Sequence, residues 1–183
     1  MTADQRFAAR RPDFLTYQTD VLDKDLALAG NIWANLKVST TGTDADWVVK
    51  VIDVYPDSAS NNQFTGKEVY MSNYEQMVRS EAMRGKFRTG FDRPVPFVPG
   101  KVTPVNFELQ DVLHTFKKGH RIMVQIQSSW FPLIDRNSQQ FQDMMKAKDT
   151  DFKKELHRVF TSKEYPSYLR VRIMKDVVEP NIK

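Results

Sequence analysis

Apolar and polar side chains alternate with a two-residue period through several stretches of the chain, the spacing of strands with one buried and one wet face. Residues 31–39 place Ile32, Ala34, Leu36 and Val38 on one side, with Asn31, Asn35, Lys37 and Ser39 opposite. Val105, Phe107 and Leu109 repeat the pattern within 104–109. So do Ile122, Val124 and Ile126 between Arg121, Gln125 and Gln127, and Leu169, Val171 and Ile173 against Arg170 and Arg172. Residues 47–55 differ, being apolar on both faces apart from Lys50 and Asp53, which predicts a central strand covered on each side. Antiparallel strands of this kind bury their apolar faces against one another, so the pattern predicts an all-β sandwich.

Turn chemistry separates these runs at Thr41-Gly42, the polar stretch Pro56–Asn62, the proline-rich Pro94–Pro104 and Lys118-Gly119. The prolines confine the third of these to loop or sheet edge. Two stretches break the alternation. Tyr74, Met77, Val78 and Glu81 fall at i, i+3, i+4 and i+7, and Phe141, Met144 and Met145 have similar spacing, so each predicts a short helix in a connecting loop. No repeat of solenoid length and no low-complexity tract interrupts the chain, and its 183 residues suit one domain.

Composition removes several chemistries. No cysteine is present, so disulfides, thiolate metal sites and thiol nucleophiles are all excluded. The glycines are Gly30, Gly42, Gly66, Gly85, Gly90, Gly100 and Gly119. No two are four apart, as the turn G-x-S-x-G around a nucleophilic serine requires, and no two are two apart, as in a dinucleotide fingerprint. Gly85 and Gly90 have phosphate-loop spacing, but Phe91 stands where a lysine would have to reach the phosphates. A net charge of +4 is modest, and the Lys153–Arg158 run includes Glu155, so the footprint is too narrow for nucleic acid. The apolar runs are too short to span a bilayer.

The titratable residues read as structural. His114, His120 and His157 have no second histidine at metal-ligand spacing, and the acid pairs Asp44/Asp46 and Asp149/Asp151, with Asp20, Asp23 and Asp25, read as loop caps, leaving calcium as the alternative. Trp33, Trp47, Trp130 and Phe131 could stack on a sugar if exposed together, but ordinarily a strand aromatic belongs to the core.

The run from Gly119 to Asn137, GHRIMVQIQSSWFPLIDRN, resembles the signature of the C-terminal non-catalytic domain of the X-Pro dipeptidyl-peptidase and cocaine-esterase class of serine hydrolases. Arg11-Pro12-Asp13 through Tyr17, Gly30, Thr43 through Trp47, Val51 through Pro56 and Arg84 through Arg88 follow in the order of that class. Tyr74 through Arg79, His114 through Gly119 and Asp151 through Phe160 are similar to the branch of α-amino-acid ester hydrolases and glutaryl-aminocephalosporanic-acid acylases.

The resemblance implies a jelly-roll sandwich like that of galactose-binding domains over residues 13–183. Residues 1–12 then read as a linker from an upstream α/β-hydrolase domain that carries the Ser-Asp-His triad. It assigns no catalytic residue to this chain and implies no cofactor or metal. The domain is expected to buttress the hydrolase domain, to wall a pocket for a small acyl ester, amide or peptide substrate, and to take part in homo-oligomer contacts, in a periplasmic or secreted protein. Tyr70, Tyr74, Gln76 and Met77 are the residues expected to reach that pocket, because their segment interrupts the strand rhythm. A carbohydrate-binding module and a purely structural or oligomerisation domain are the alternatives.

Overall fold

The side chains that alternate in the sequence face one another across the interior of two four-stranded antiparallel sheets. The structure is a computed structural model that describes residues 4–9, 11–61 and 69–174. A short helix, Arg6–Ala9 (α1), precedes eight strands: Leu15–Gln18 (β1), Leu26–Thr40 (β2), Asp46–Val54 (β3), Glu75–Arg84 (β4), Thr103–Phe116 (β5), Arg121–Gln127 (β6), His157–Val159 (β7) and Tyr168–Arg170 (β8). One sheet runs β1-β6-β3-β4, and the other runs β5-β2-β7 with β8 also on β2. The chain changes sheet after β1, β2, β4, β5 and β6, which makes an all-β sandwich as expected.

The core lies between the sheets. Ile32, Ala34, Leu36 and Val38 of β2 and Val105, Phe107 and Leu109 of β5 meet Trp47, Val49 and Val51 of β3 and Ile126 of β6. β3 lies between β6 and β4, and every one of its residues is buried. Its outer face, with Ile52 and Val54, packs with Met123 of β6. Gln5 and Phe14 of the N-terminal arm and Trp130 of the loop after β6 cover the middle of that face at Lys50.

Two bulges set which side chains point inward. In the β2–β5 ladder Gly30 faces Val112 and Ile32 faces Leu109, so β5 carries one extra residue there and both Leu109 and Val112 are buried. In the β3–β4 ladder Val51 faces Arg79 and Ile52 faces Met77, which leaves Val78 as the extra residue of β4. This bulge corrects the helix predicted around Tyr74–Glu81: the segment is strand. An inserted residue turns a spacing of two into three, so buried Glu75 and Val78 mimic a helical face. The second predicted helix survives as one 3₁₀ turn, Met144–Lys146, whose first turn is capped by the Asp143 carboxylate accepting from Met145 N–H.

Gly85, at the end of β4, is required by packing. A Cβ there would lie 2.4 Å from Cε2 of buried Phe97 and 2.7 Å from the Ala45 carbonyl oxygen. Gly85→Ala should therefore destabilise the fold by about 1–3 kcal/mol, the usual range for overpacking. The measurement is the urea midpoint, expected to fall at unchanged slope.

Candidate functional site

β3 is covered on both faces, yet it carries Asp46, Lys50 and Asp53. A charge taken out of water needs a partner, and each of these three is met differently. Asp46 receives Arg84 in a two-pronged pair, Nε to Oδ1 and Nη2 to Oδ2, both at 3.0 Å, while Asn137 Nδ2 donates to the same carboxylate at 2.7 Å. Arg84 also reaches Asp135 at 3.1 Å. Burial opposes the guanidinium charge, but the Asp46 and Asp135 carboxylates outweigh it and hold Arg84 above its ordinary value. This network fixes residues 135–137, the far end of the loop that follows β6.

Asp53, on the inner face, accepts from two histidines. His114 Nε2 lies 2.9 Å from Oδ2, and His120 Nδ1 lies 2.8 Å from Oδ1. The extra residue in β5 is what brings His114 to this face. The carboxylate thus ties β3 to β5 of the other sheet and to the turn entering β6. His157 is different: it packs edge-on at 5.6 Å from buried Trp47, and burial lowers its pKa below the ordinary histidine value.

Lys50 points outward, is 1% exposed, and has no carboxylate within 4 Å among the described residues. Its ammonium donates to Gln5 Oε1 at 2.9 Å and sits 4.8 Å from the Trp130 ring centre and 5.5 Å from that of Phe14. Burial, with a smaller push from the Arg11 guanidinium, lowers its pKa from 10.5 to about 8. Arg11 itself is paired with Asp13 at 2.7 Å. Lys50 forms part of the wall of a hollow of about 470 Å³, and at its rim Phe7, Phe131 and Leu133 are 61%, 65% and 54% exposed. Arg11, Phe14, Gln127, Ser129, Trp130 and Pro132 complete the lining. The site offers a cation, aromatic faces and an apolar mouth, a combination that suits a carboxylate carried on an apolar body.

The segment singled out in the sequence lies beside this hollow, along the edge strand β4. Arg6 donates to the carbonyls of Tyr70 and Ser72 and stacks over the Tyr74 ring at 5.4 Å. Tyr70 is exposed, Tyr74 stands edge-on to Tyr55, Gln76 accepts from the Tyr55 hydroxyl at 2.8 Å, and Met77 faces Ile52 in the ladder. The same N-terminal arm therefore touches both regions. Of the acid pairs, Asp44 caps the backbone, accepting from Ala45 and Lys86 N–H, and Asp46 is the ion-paired strand residue described above. Among the described residues no group of three His, Asp or Glu could hold a metal ion. Trp47 is in the core, Trp33 lies on the outer face of β2 beneath Arg170, and Trp130 lines the hollow, so the three tryptophans share no stacking surface.

Known proteins resemble the whole of this sandwich. Residues 3–170 match the family described as the X-Pro dipeptidyl-peptidase C-terminal non-catalytic domain. Cocaine esterase of Rhodococcus sp. (strain MB1 Bresler) is 30% identical over 173 residues, 94% of this chain and 28% of the esterase. Two solved structures are each 43% identical: an aminopeptidase from a marine sediment Thaumarchaeota archaeon, with a TM-score of 0.87 over 94% of this chain and 27% of that one, and an α-amino acid ester hydrolase, with 0.86 over 93% and 27%. The chain thus spans little more than a quarter of these relatives.

The lowered Lys50 pKa gives a signed prediction. Between about 8 and 10.5 the folded chain holds fewer protons than the unfolded chain, so Lys50 makes stability rise with pH across that window. Lys50→Met should flatten this rise in urea titrations run at pH 7.5 to 10.5, and a slope equal to that of the wild type would contradict the burial described.

Proposed function

Because the chain belongs to the X-Pro dipeptidyl-peptidase C-terminal non-catalytic domain family, we propose that it buttresses an α/β-hydrolase domain of the same polypeptide, which performs acyl transfer to water. The observation that carries this reading is the match of residues 3–170 to a domain named as non-catalytic, together with relatives more than three times as long that are an esterase, an aminopeptidase and an ester hydrolase. Residues 1–12 lead from the hydrolase domain into the sandwich, and the substrate is a small ester, amide or peptide.

The domain also walls part of the substrate pocket through the segment that precedes and opens β4. Support comes from Tyr70, which is 63% exposed on a backbone pinned by Arg6. Tyr74 packs beneath the same guanidinium, and Gln76 and Met77 hold the strand that positions both tyrosines. Tyr70 is then the side chain that touches substrate, and the other three are positioning residues.

Two measurements test these assignments. On a chromogenic ester the full polypeptide should turn over while the 183-residue chain stays at background, and turnover that survives repurification of the chain would defeat the division of labour. In the full polypeptide, Tyr70→Ala and Tyr74→Ala should each change the ratio of kcat/KM between a small and a bulky acyl group by about threefold or more, which corresponds to the loss of one modest apolar contact. Ratios equal to the wild type would remove the segment from the pocket.

A further inference from the structure

Of the three charged residues on the doubly covered strand β3, Asp46 is met by an arginine and Asp53 by two histidines, whereas Lys50 has no acidic side chain within 4 Å among the described residues. Its neighbours do not remove the deficit. Gln5 supplies one neutral acceptor, Phe14 and Trp130 supply ring faces, and Arg11, which lines the same hollow, is already paired with Asp13. Gln125, opposite Lys50 in the ladder, spends an amide N–H on the Met123 sulfur, and its Oε1 has no partner among the described residues. Two ammonium N–H groups are therefore unused among the described residues, beside a hollow whose rim exposes Phe7, Phe131 and Leu133. Burying an unpaired cation is costly, and a rim of large exposed apolar side chains is likewise unfavourable in water. One occupant relieves both.

We propose that the Lys50 hollow is a socket that receives an Asp or Glu side chain projecting from an apolar segment of the adjoining hydrolase domain. The carboxylate accepts from the Lys50 ammonium between Phe14 and Trp130, and the apolar flanks of that segment cover Phe7, Phe131 and Leu133. Charge complementarity selects the carboxylate, because Lys50 is the cation of the socket that lacks an acidic partner, the Arg11 guanidinium at its wall being already paired with Asp13. The source follows from length: nearly three quarters of each relative lies outside the part that this chain matches, and the N-terminal arm that would join it runs across this face. The inference rests on the proposed function and adds to it the face and the pairing residue.

Hydrogen exchange of the full polypeptide and of the 183-residue chain, followed by peptide mass spectrometry, separates the outcomes. Residues 4–14 and 128–134 should exchange at least about tenfold more slowly in the full polypeptide, because their opening then requires undocking. Protection confined to another face would overturn the socket and leave the domain reading intact, whereas protection nowhere would overturn the domain reading itself. Lys50→Met tests the pairing through opposite signs. It keeps the shape and removes the charge, so it should raise the urea midpoint of the 183-residue chain at neutral pH and abolish about tenfold of the protection in the full polypeptide, with Lys50→Arg retaining protection. Full protection in Lys50→Met would overturn the carboxylate, as would a lower urea midpoint for that variant in the isolated chain.

Discussion

A single strand without a wet face governs this molecule. β3 lies between β6 and β4, with the second sheet on one side and the N-terminal arm and the 128–133 loop on the other. Desolvating an ion costs several kcal/mol unless a partner is supplied. The strand nevertheless carries three, and much of the surrounding architecture provides their partners. Arg84 and Asn137 meet Asp46 and in doing so anchor the loop after β6. His114 and His120 meet Asp53 and in doing so join the sheets. Lys50 is met by one amide and two aromatic rings, and it marks the surface where the domain is electrostatically incomplete.

The alternation of apolar residues was enough to identify β2, β6 and the first half of β5, because a side-chain period of two is directly visible where a strand is regular, and β3 was identified by a short run apolar on both faces. It failed where a strand is not regular. The extra residue near Gln110 hid the second half of β5, and the one at Val78 made β4 read as helix. β1 is exposed along its whole length and β7 has three residues, so neither carries a periodic signal. Of the site, Lys50 and Asp53 were legible as the two polar exceptions in an apolar strand. What could not be read was their environment. The Asp53 pairing depends on the parity set by the β5 bulge, and the cover over Lys50 comes from Gln5, which lies in a stretch that reads as a linker, and from Phe14 and Trp130.

The run that carries the family signature, Gly119–Asn137, supplies both β6 and the loop that walls the hollow, from Ser129 to Leu133. Its last residues, Asp135 and Asn137, are held by Arg84 and Asp46. The segment with the most recognisable sequence is thus also the one that couples the centre of a sheet to an exposed face. The arm over that face reaches further, since Arg6 fastens the backbone at Tyr70 and Ser72 while Gln5, Phe7, Arg11 and Phe14 border or line the hollow. Whatever seats against one of these regions is mechanically connected to the other.

The bulge in β5 also limits how the chain can change length. Deleting one residue, Gln110 or Asp111, would leave Leu109 and Val112 two positions apart in a regular ladder, so Val112, His114 and Phe116 would keep their inward facing and Asp53 both of its histidine donors. Deleting both would reverse everything from Val112 to Phe116, turning Val112 and Phe116 to water and Leu113 and Thr115 inward. One residue here is a removable kink, whereas a second is part of the frame that decides what the core contains.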